Sequence, residues 1–155
     1  MNKSELLTEQ FNFAQWVESL KDLDEKLWFQ PIESESWSIA EIISHLQMWD
    51  QFVLEHRVPY LFTVFPDVNP TDEEVNLPAS QYALSGVTQK QLIDGFCLTR
   101  TKLIEELEKI AEHDFQKVLK LGHKEITISA YFNYLIEHDL HHKQQISAFI
   151  HACDE

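Results

Sequence analysis

Long stretches of this sequence carry apolar residues at intervals of three and four, and very few glycines interrupt them. Such spacing places apolar side chains on one stripe of an α-helix. Only three glycines and five prolines occur in 155 residues, so few positions are suited to tight turns. A sandwich or barrel of many short strands would need more of them. The pattern therefore predicts an all-α fold of a few long helices, in a single domain of residues 1–155.

Four helices are predicted from the apolar stripes and from their start signals. Ser4 is the expected N-cap of the first helix. Ser38 and Glu41 have the spacing of a capping box, in which each side chain bonds the other residue's backbone N–H, and Thr88 and Gln91 repeat that spacing. The four predicted helices cover approximately residues 4–27, 38–59, 88–110 and 127–151.

The connection between the second and third helices is unusually long. Its segment PDVNPTDEEVNLPAS, residues 66–80, is rich in proline, asparagine and acidic residues, which favour loops. A loop of this length can cross the whole bundle, so the second and third helices need not be antiparallel neighbours. The sequence thus predicts a four-helix bundle with a long crossover between helices 2 and 3, and a turn at Gly122 before the last helix.

The net charge of −14 argues against two classes of partner. Such a surface repels the phosphates of nucleic acids and the head groups of anionic lipids, so no nucleic acid and no membrane partner is expected.

No apolar run is long enough to span a bilayer, and the first residues lack a signal-peptide core. Cys97 and Cys153 form no CxxC motif and are expected to be reduced thiols. These features together predict a cytoplasmic protein.

Three histidines lie within five positions of the last predicted helix, in the segment EHDLHHKQQI, residues 137–146. At 100° per residue, His142 falls about 40° from His138, and both lie within the apolar arc. His141 falls about 60° outside that arc and is expected at the rim or in solvent. On a helical wheel, Gln145 lies beside His138. It is expected to be either a hydrogen-bond partner of the histidines or a residue at the rim. His138 and His142 are therefore the inward pair.

Two imidazoles one helical turn apart can converge on one cation, but tight binding needs a third ligand. The second helix offers His45 and His56, which are roughly 16 Å apart along its axis and cannot both serve the same ion. We prefer His45 because it lies early in the helix. The alternative interpretation is that each inward histidine is a hydrogen-bonded core residue without any metal.

The segments WSIAEIISHLQMWD and ISAYFNYLIEHDLHHKQQI resemble the DinB/YfiT-like superfamily of metalloenzymes. The shared pattern is a Trp-Ser-capped helix with one histidine, followed by a last helix with His-x-x-x-His and a glutamine. The resemblance covers nearly the whole chain. It implies a four-helix bundle with a long crossover, and it implies His45, His138 and His142 as ligands of one divalent ion. Three imidazoles accept zinc, nickel, iron or copper.

Three functions are compatible with that resemblance. The first is a thiol-dependent S-transferase, in which the ion activates a low-molecular-weight thiol such as bacillithiol toward a small electrophile, with Trp49 and Tyr131 as apolar walls. Core packing is the alternative explanation of these two rings and is also expected for Trp37 and Tyr134. The second is a metal-assisted hydrolase, for which Asp50 and Glu137 are the nearest acids, both predicted off the inner face. The third is a stress-related binding protein with a structural metal. A small-molecule substrate and a homodimer are also expected.

Overall fold

Six α-helices and one short hairpin make up the part of the chain described by the computed structural model, residues 1–65 and 68–154. Strands β1 and β2 pair antiparallel. The elements are α1 (Lys3–Ser19), α2 (Glu25–Phe29), α3 (Ile39–His56), α4 (Asp72–Ala83), α5 (Gln89–Glu108), β1 (Val118–Leu121), β2 (Lys124–Thr127) and α6 (Ile128–Cys153), with short 3₁₀ turns at Leu20–Asp22, Val58–Tyr60 and Glu112–Gln116. Within these described residues, no helix is both long and apolar enough to cross a membrane.

The four long helices α1, α3, α5 and α6 form the predicted four-helix bundle. Helix α5 packs against both α1 and α3, whereas α6 packs against α1 and only loosely against α3. The core divides into two apolar clusters. One surrounds Trp28 and Phe96, and the other surrounds Leu6, Phe115 and Phe132. All five of these side chains are almost completely buried, so the apolar stripes of the sequence do face the core.

The first predicted helix is shorter than expected and starts elsewhere. The side chain of Asn2, not Ser4, caps α1 by accepting the backbone N–H of Glu5 at 2.8 Å. The helix ends at Ser19, and the chain turns through a 3₁₀ segment into α2, which Asp24 caps. The predicted continuous helix over residues 4–27 is therefore wrong. The break lets Trp28 insert into the core, where it is fully buried.

The other predicted helix starts are confirmed. Ser38 Oγ accepts the backbone N–H of Glu41 at 3.2 Å, and the Glu41 carboxylate accepts the backbone N–H of Ser38 at 3.1 Å. Thr88 and Gln91 form the same reciprocal pair at the start of α5. Thr127 caps α6. Since these side chains satisfy backbone donors that the helix itself leaves unpaired, short local patterns were sufficient to locate them.

The crossover contains a helix that the sequence analysis assigned to a loop. Helix α4 occupies most of the predicted loop 66–80, of which Pro66 and Asp67 lie outside the described residues. Thr71 caps α4, and three acidic residues in its first turn suit the positive end of the helix dipole. Pro78 lies inside α4 and removes one helical hydrogen bond. That proline and the many polar residues made the segment resemble a loop.

Hydrogen bonds tie the last part of the crossover helix to the first part of α3. Ser44 Oγ donates to the carbonyl oxygen of Ala79 at 2.8 Å, and Ser80 Oγ donates to Glu41 at 2.6 Å. Glu41 therefore caps α3 and holds α4 with the same carboxylate. The crossover is a packed helix, and its position relative to α3 is fixed.

A hairpin precedes α6 at the position where the sequence predicted only a turn. Gly122 has a φ of +62°, which glycine adopts at little cost, and Leu121 pairs with Lys124 across the turn. Leu119 on β1 is buried and anchors the hairpin to the apolar cluster around Phe115 and Phe132. The hairpin adds a small sheet to an otherwise helical fold.

A buried ion-pair cluster joins three helices at the centre of the bundle. Arg100 on α5 donates from Nε and Nη2 to Asp50 on α3, at 2.7 and 3.0 Å. The same guanidinium donates from Nη1 and Nη2 to Asp139 on α6, at 2.9 and 3.2 Å. All three side chains are nearly inaccessible to solvent. Burial raises the pKa of Asp50 to about 6, against the opposing charge of Arg100, and burial also raises the pKa of Asp139.

We predict that Arg100→Met will destabilise the protein by about 3–5 kcal/mol at neutral pH, because it leaves two buried carboxylates without a cation. The loss should be smaller near pH 5, because burial raises the pKa of both acids and, without the opposing charge of Arg100, they take up protons more readily. Urea unfolding at both pH values measures this. The triple variant Arg100→Met, Asp50→Asn, Asp139→Asn is the control and should recover part of the loss. A change below about 1 kcal/mol in the single variant would contradict the buried ion-pair assignment.

Candidate metal centre

Three histidines from two helices converge at the cleft between α3 and α6. One ring nitrogen from each of His45, His138 and His142 lies within 4.8 Å of the other two. The ring centroid of His45 is 5.5 Å from that of His138 and 5.4 Å from that of His142. The structure therefore brings together the three residues that the sequence analysis selected.

Hydrogen bonds fix the orientation of two of these rings. His45 Nδ1 lies 2.7 Å from Asn76 Oδ1, an oxygen that only accepts, so Nδ1 carries the proton. The opposite nitrogen, His45 Nε2, is then an unprotonated acceptor, and it is buried without a hydrogen-bond partner. In the same way His142 Nδ1 donates to Gln145 Oε1 at 3.1 Å. Both contacts direct a lone pair on Nε2 toward the cleft.

The spacing of the ring nitrogens fits a divalent transition-metal ion. His138 Nε2 and His142 Nε2 are 3.2 Å apart. Two nitrogens bound to one zinc ion at ordinary length and tetrahedral angle lie about 3.4 Å apart. The third nitrogen, on His45, lies within 4.8 Å of these two, so all three residues could hold one ion. Without an ion, one of the facing nitrogens must carry a proton and donate to the other, because two lone pairs repel.

All three imidazoles are held in the neutral form, which is the form that binds metals. Burial lowers the pKa of His45 below its ordinary value, although the bond from Asn76 opposes the shift. Burial also lowers the pKa of His138, with His45 adding repulsion. Burial lowers the pKa of His142, while Gln145 opposes it.

Aromatic rings enclose one side of the cluster. The ring of Trp37 lies 5.2 Å from that of His45, and Trp49 approaches the same imidazole edge-on at 6.4 Å. His138 and His142 are only half-buried, in contrast to His45. The cluster therefore has a closed apolar wall on α3 and an open side on α6. Such a site can hold an ion and still admit a small ligand.

The remaining predicted residues lie where the wheel placed them, with two exceptions. His141 is exposed, and His56 stacks on Phe52 away from the cluster. Tyr134 was grouped with the core aromatics but is 65% exposed. Asp50 was predicted off the inner face, yet it is buried in the ion-pair cluster with Arg100. On the wheel Asp50 lies about 140° from His45, between the buried Ile39 and Ile43, so its angle already indicated burial.

The sequence analysis also missed two functional contacts. Asn76 orients His45 from the crossover helix, and no local pattern indicates a contact between residues 31 positions apart. Asp139 lies about 100° from His138 on α6, among the buried Ile128 and Phe132. An acid at a core angle predicts a buried cation partner, and Arg100 at a core angle of α5 is the matching residue.

The sequence model of the DinB superfamily matches residues 10–146. The chain belongs to this superfamily. None of the curated proteins matches the chain. Among solved structures, this DinB-superfamily protein is similar to YfiT from Bacillus subtilis, with a TM-score of 0.71 and 11% identity over 98% of this chain and 87% of YfiT. YfiT is described as a probable metal-dependent hydrolase with an unusual four-helix bundle topology.

A second similar structure is that of a DinB-like protein from Bacillus cereus. It has a TM-score of 0.69 and 18% identity, over 99% of this chain and 95% of the other. At these identities the two structures confirm the fold of the DinB-superfamily bundle, with its four long helices and its crossover. The three-histidine cluster of this chain is described from the positions of its own side chains.

We predict that the metal-free protein loses stability as the pH falls through the histidine range. An unfolded histidine takes up a proton near pH 6.5, whereas the three folded imidazoles, with lowered pKa values, resist it. The unfolded state therefore binds more protons below about pH 6.5, and the free energy of unfolding decreases. Urea unfolding at about pH 7 and about pH 5.5 measures the decrease. It should be smaller in His45→Gln, which lacks one such group, and an equal decrease would contradict the prediction.

Proposed function

We propose that this protein is a metal-dependent enzyme whose divalent ion is held by His45, His138 and His142. The observation that carries the proposal is the buried and unpartnered Nε2 of His45, 5.4–5.5 Å ring to ring from the other two imidazoles. A buried acceptor without a partner costs about 1–3 kcal/mol. An ion at the centre of the cluster would satisfy that nitrogen and relieve the close approach of the other two.

The ligand set determines what chemistry a bound ion supplies. Three neutral imidazoles would leave the charge of a bound ion uncompensated, and such an ion would lower the pKa of a thiol or water beside it. Other residues of the protein orient the ligands and shield the site from water. Asn76 and Gln145 keep the ligand lone pairs aimed at one point, and the indole rings of Trp37 and Trp49 exclude water on one side.

The reaction that we favour is transfer of a small cytoplasmic thiol to a small apolar electrophile. A thiolate is itself the nucleophile and needs no general base in the attacking step. An attacking water is helped by a base positioned within hydrogen-bond reach. Within the described residues, Asp50 and Asp139 are the buried acids of the neighbouring core, and Arg100 engages both. That arrangement leaves neither buried acid free to act as the base for an attacking water, which supports thiol transfer.

Hydrolysis is the second candidate, and the similarity to YfiT favours it. YfiT is described as a probable metal-dependent hydrolase. In that case a solvent molecule, His141 or Asp72 would have to accept the proton. His141 is exposed beside the cluster, and the charge of Asp72 opposes the lowering of the pKa of His45 and His138. A stress-related binding protein with a structural metal is the third candidate, and absence of turnover with a fully loaded site would favour it.

Metal binding is tested first. Isothermal titration of zinc, nickel and iron into the metal-free protein should show one site. Alanine at His45, His138 or His142 should weaken binding at least tenfold, because two imidazoles hold an ion poorly. His141→Ala is the matched control, since His141 is exposed one residue from a predicted ligand. Retained binding in His142→Ala, with loss in His141→Ala, would refute the ligand assignment.

The reaction is tested with cobalt as a spectroscopic ion. Addition of bacillithiol or another small thiol to the cobalt-loaded protein should produce a sulfur-to-metal charge-transfer band. Conjugation of that thiol to a model electrophile should exceed the rate of the thiol alone. Ester and amide hydrolysis without thiol is measured in parallel. Hydrolysis without any thiol-dependent signal would transfer the assignment to the second candidate.

We predict that Asn76→Ala will weaken metal binding about tenfold to a hundredfold, because partners of metal-binding histidines fix the ring and its tautomer. Asn133→Ala is the control, because Asn133 lies on α6 and bonds only weakly to Glu137, at 3.4 Å. Isothermal titration on both variants, with unfolding curves to confirm equal folding, makes the measurement. Equal affinities would show that Asn76 does not orient His45.

A further inference from the structure

Both arginines of the chain are buried, but their surroundings differ in charge. Arg100 is held by two carboxylates. Arg57, at the end of α3, donates to the carbonyl oxygens of His56 and Val68, at 3.0 and 3.3 Å, and to Asn69 Oδ1 at 3.0 Å. Over residues 1–65 and 68–154, Arg57 forms no ion pair, and these acceptors are neutral oxygens.

The rest of the Arg57 environment is aromatic. Its guanidinium carbon lies 4.7 Å from the ring centroid of Phe52 and 5.0 Å from that of Phe65. Burial raises the pKa of the Tyr131 hydroxyl on α6, and the nearby charge of Arg57 opposes that shift. These contacts stabilise a cation but do not neutralise it. Within the described residues, the bonds to His56, Val68 and Asn69 use three of the five N–H donors of this guanidinium.

A cavity of about 700 Å³ opens beside Arg57, between the segment that follows α3 and strand β1. This volume is within the range of small-molecule sites. Its walls include the apolar side chains of Leu61, Phe65 and Leu119. The site is remote from the histidine cluster, because Arg57 follows His45 by twelve residues of helix, about 18 Å.

The charge lining the cavity is opposite to that of the whole protein. Arg57, Lys117 and Lys120 line it, and no acidic residue does so among the described residues. Yet the chain has 26 acidic and only 12 basic residues. Asp114 bonds Lys117 at 3.0 Å, and Glu125 pairs with Lys120 in the hairpin register, but both acids lie outside the cavity lining. The cavity is therefore a cationic and apolar pocket on an acidic protein.

We propose that this pocket binds a small organic anion with an apolar body, such as a medium-chain carboxylate. The anionic group would lie between Arg57 and Lys120, and the apolar body would contact Phe65 and Leu119. Such a ligand supplies a negative charge that the described residues around Arg57 do not provide. It does so at a site separate from the three-histidine cluster, so the proposal does not depend on the enzymatic one.

The chemistry of the ligand is tested with three probes of equal chain length. Octanoate, octanol and octylamine are titrated calorimetrically into the full-length protein. Octanoate should bind at least about tenfold more tightly than octanol, and octylamine should bind most weakly. Octanoate affinity should fall as salt is added, because the two lysines are partly exposed to solvent. Equal affinity for octanoate and octanol would overturn the proposal, and so would absence of octanoate binding.

The place of binding is tested with charge variants that leave Arg57 intact, because Arg57 also holds the segment after α3. Lys117→Gln and Lys120→Gln should each weaken octanoate about threefold to fivefold. Lys124→Gln is the matched control, since Lys124 lies on the same hairpin but outside the cavity lining. Equal weakening in all three variants would indicate a general charge effect and would overturn the proposal.

A carboxylate could instead bind an ion at the histidine cluster, and two measurements separate these sites. Octanoate binding should be retained in His142→Ala. In the wild-type protein, octanoate should shift the backbone amide resonances of Leu119 to Gly122 rather than those around His138. Loss of binding in His142→Ala, or shifts confined to the middle of α6, would refute the pocket on the hairpin.

Discussion

The buried ion pairs of Arg100 with two carboxylates determine how the helices of the bundle can pack. A single guanidinium on α5 holds one acid on α3 and one on α6, in a region from which water is excluded. Removing two acids and a base from water is costly, and only full hydrogen bonding makes the cluster tolerable. The three helices therefore have one arrangement in which all these donors and acceptors are satisfied. The cluster is a constraint on geometry more than a source of stability.

That constraint bears directly on the histidines. Asp139 is next to His138 in sequence, and Asp50 lies five residues after His45. When Arg100 holds the two acids, it fixes the rotation of α3 and α6 about their axes. The histidines then lie at the edge of each buried arc and not at its centre. A histidine at that edge is shielded enough from water to remain neutral, and a molecule from solvent can still reach it.

Much of this arrangement was readable from the sequence, because it depends on local patterns. Capping boxes at Ser38 and Thr88 located two helix starts, and the wheel separated His138 and His142 from His141. Long-range contacts were not readable. Asn76 meets His45 only because α4 folds back on α3, and Pro78 concealed α4 itself. The prediction that Asp50 lies off the inner face was wrong for a different reason. Its angle on the helical wheel was already that of a core residue.

The loose packing between α3 and α6 has a mechanical consequence. These two helices supply the histidines, yet they pack together less extensively than α1 with α5, α3 with α5 or α1 with α6. An ion held by His45 and His138 would join positions that are 93 residues apart, since 138 − 45 = 93. A bond of that span closes a very long loop, and restricting such a loop removes much of the freedom of the unfolded chain. An occupied site would act as a removable cross-link, and metal supply would regulate how readily this side of the bundle opens.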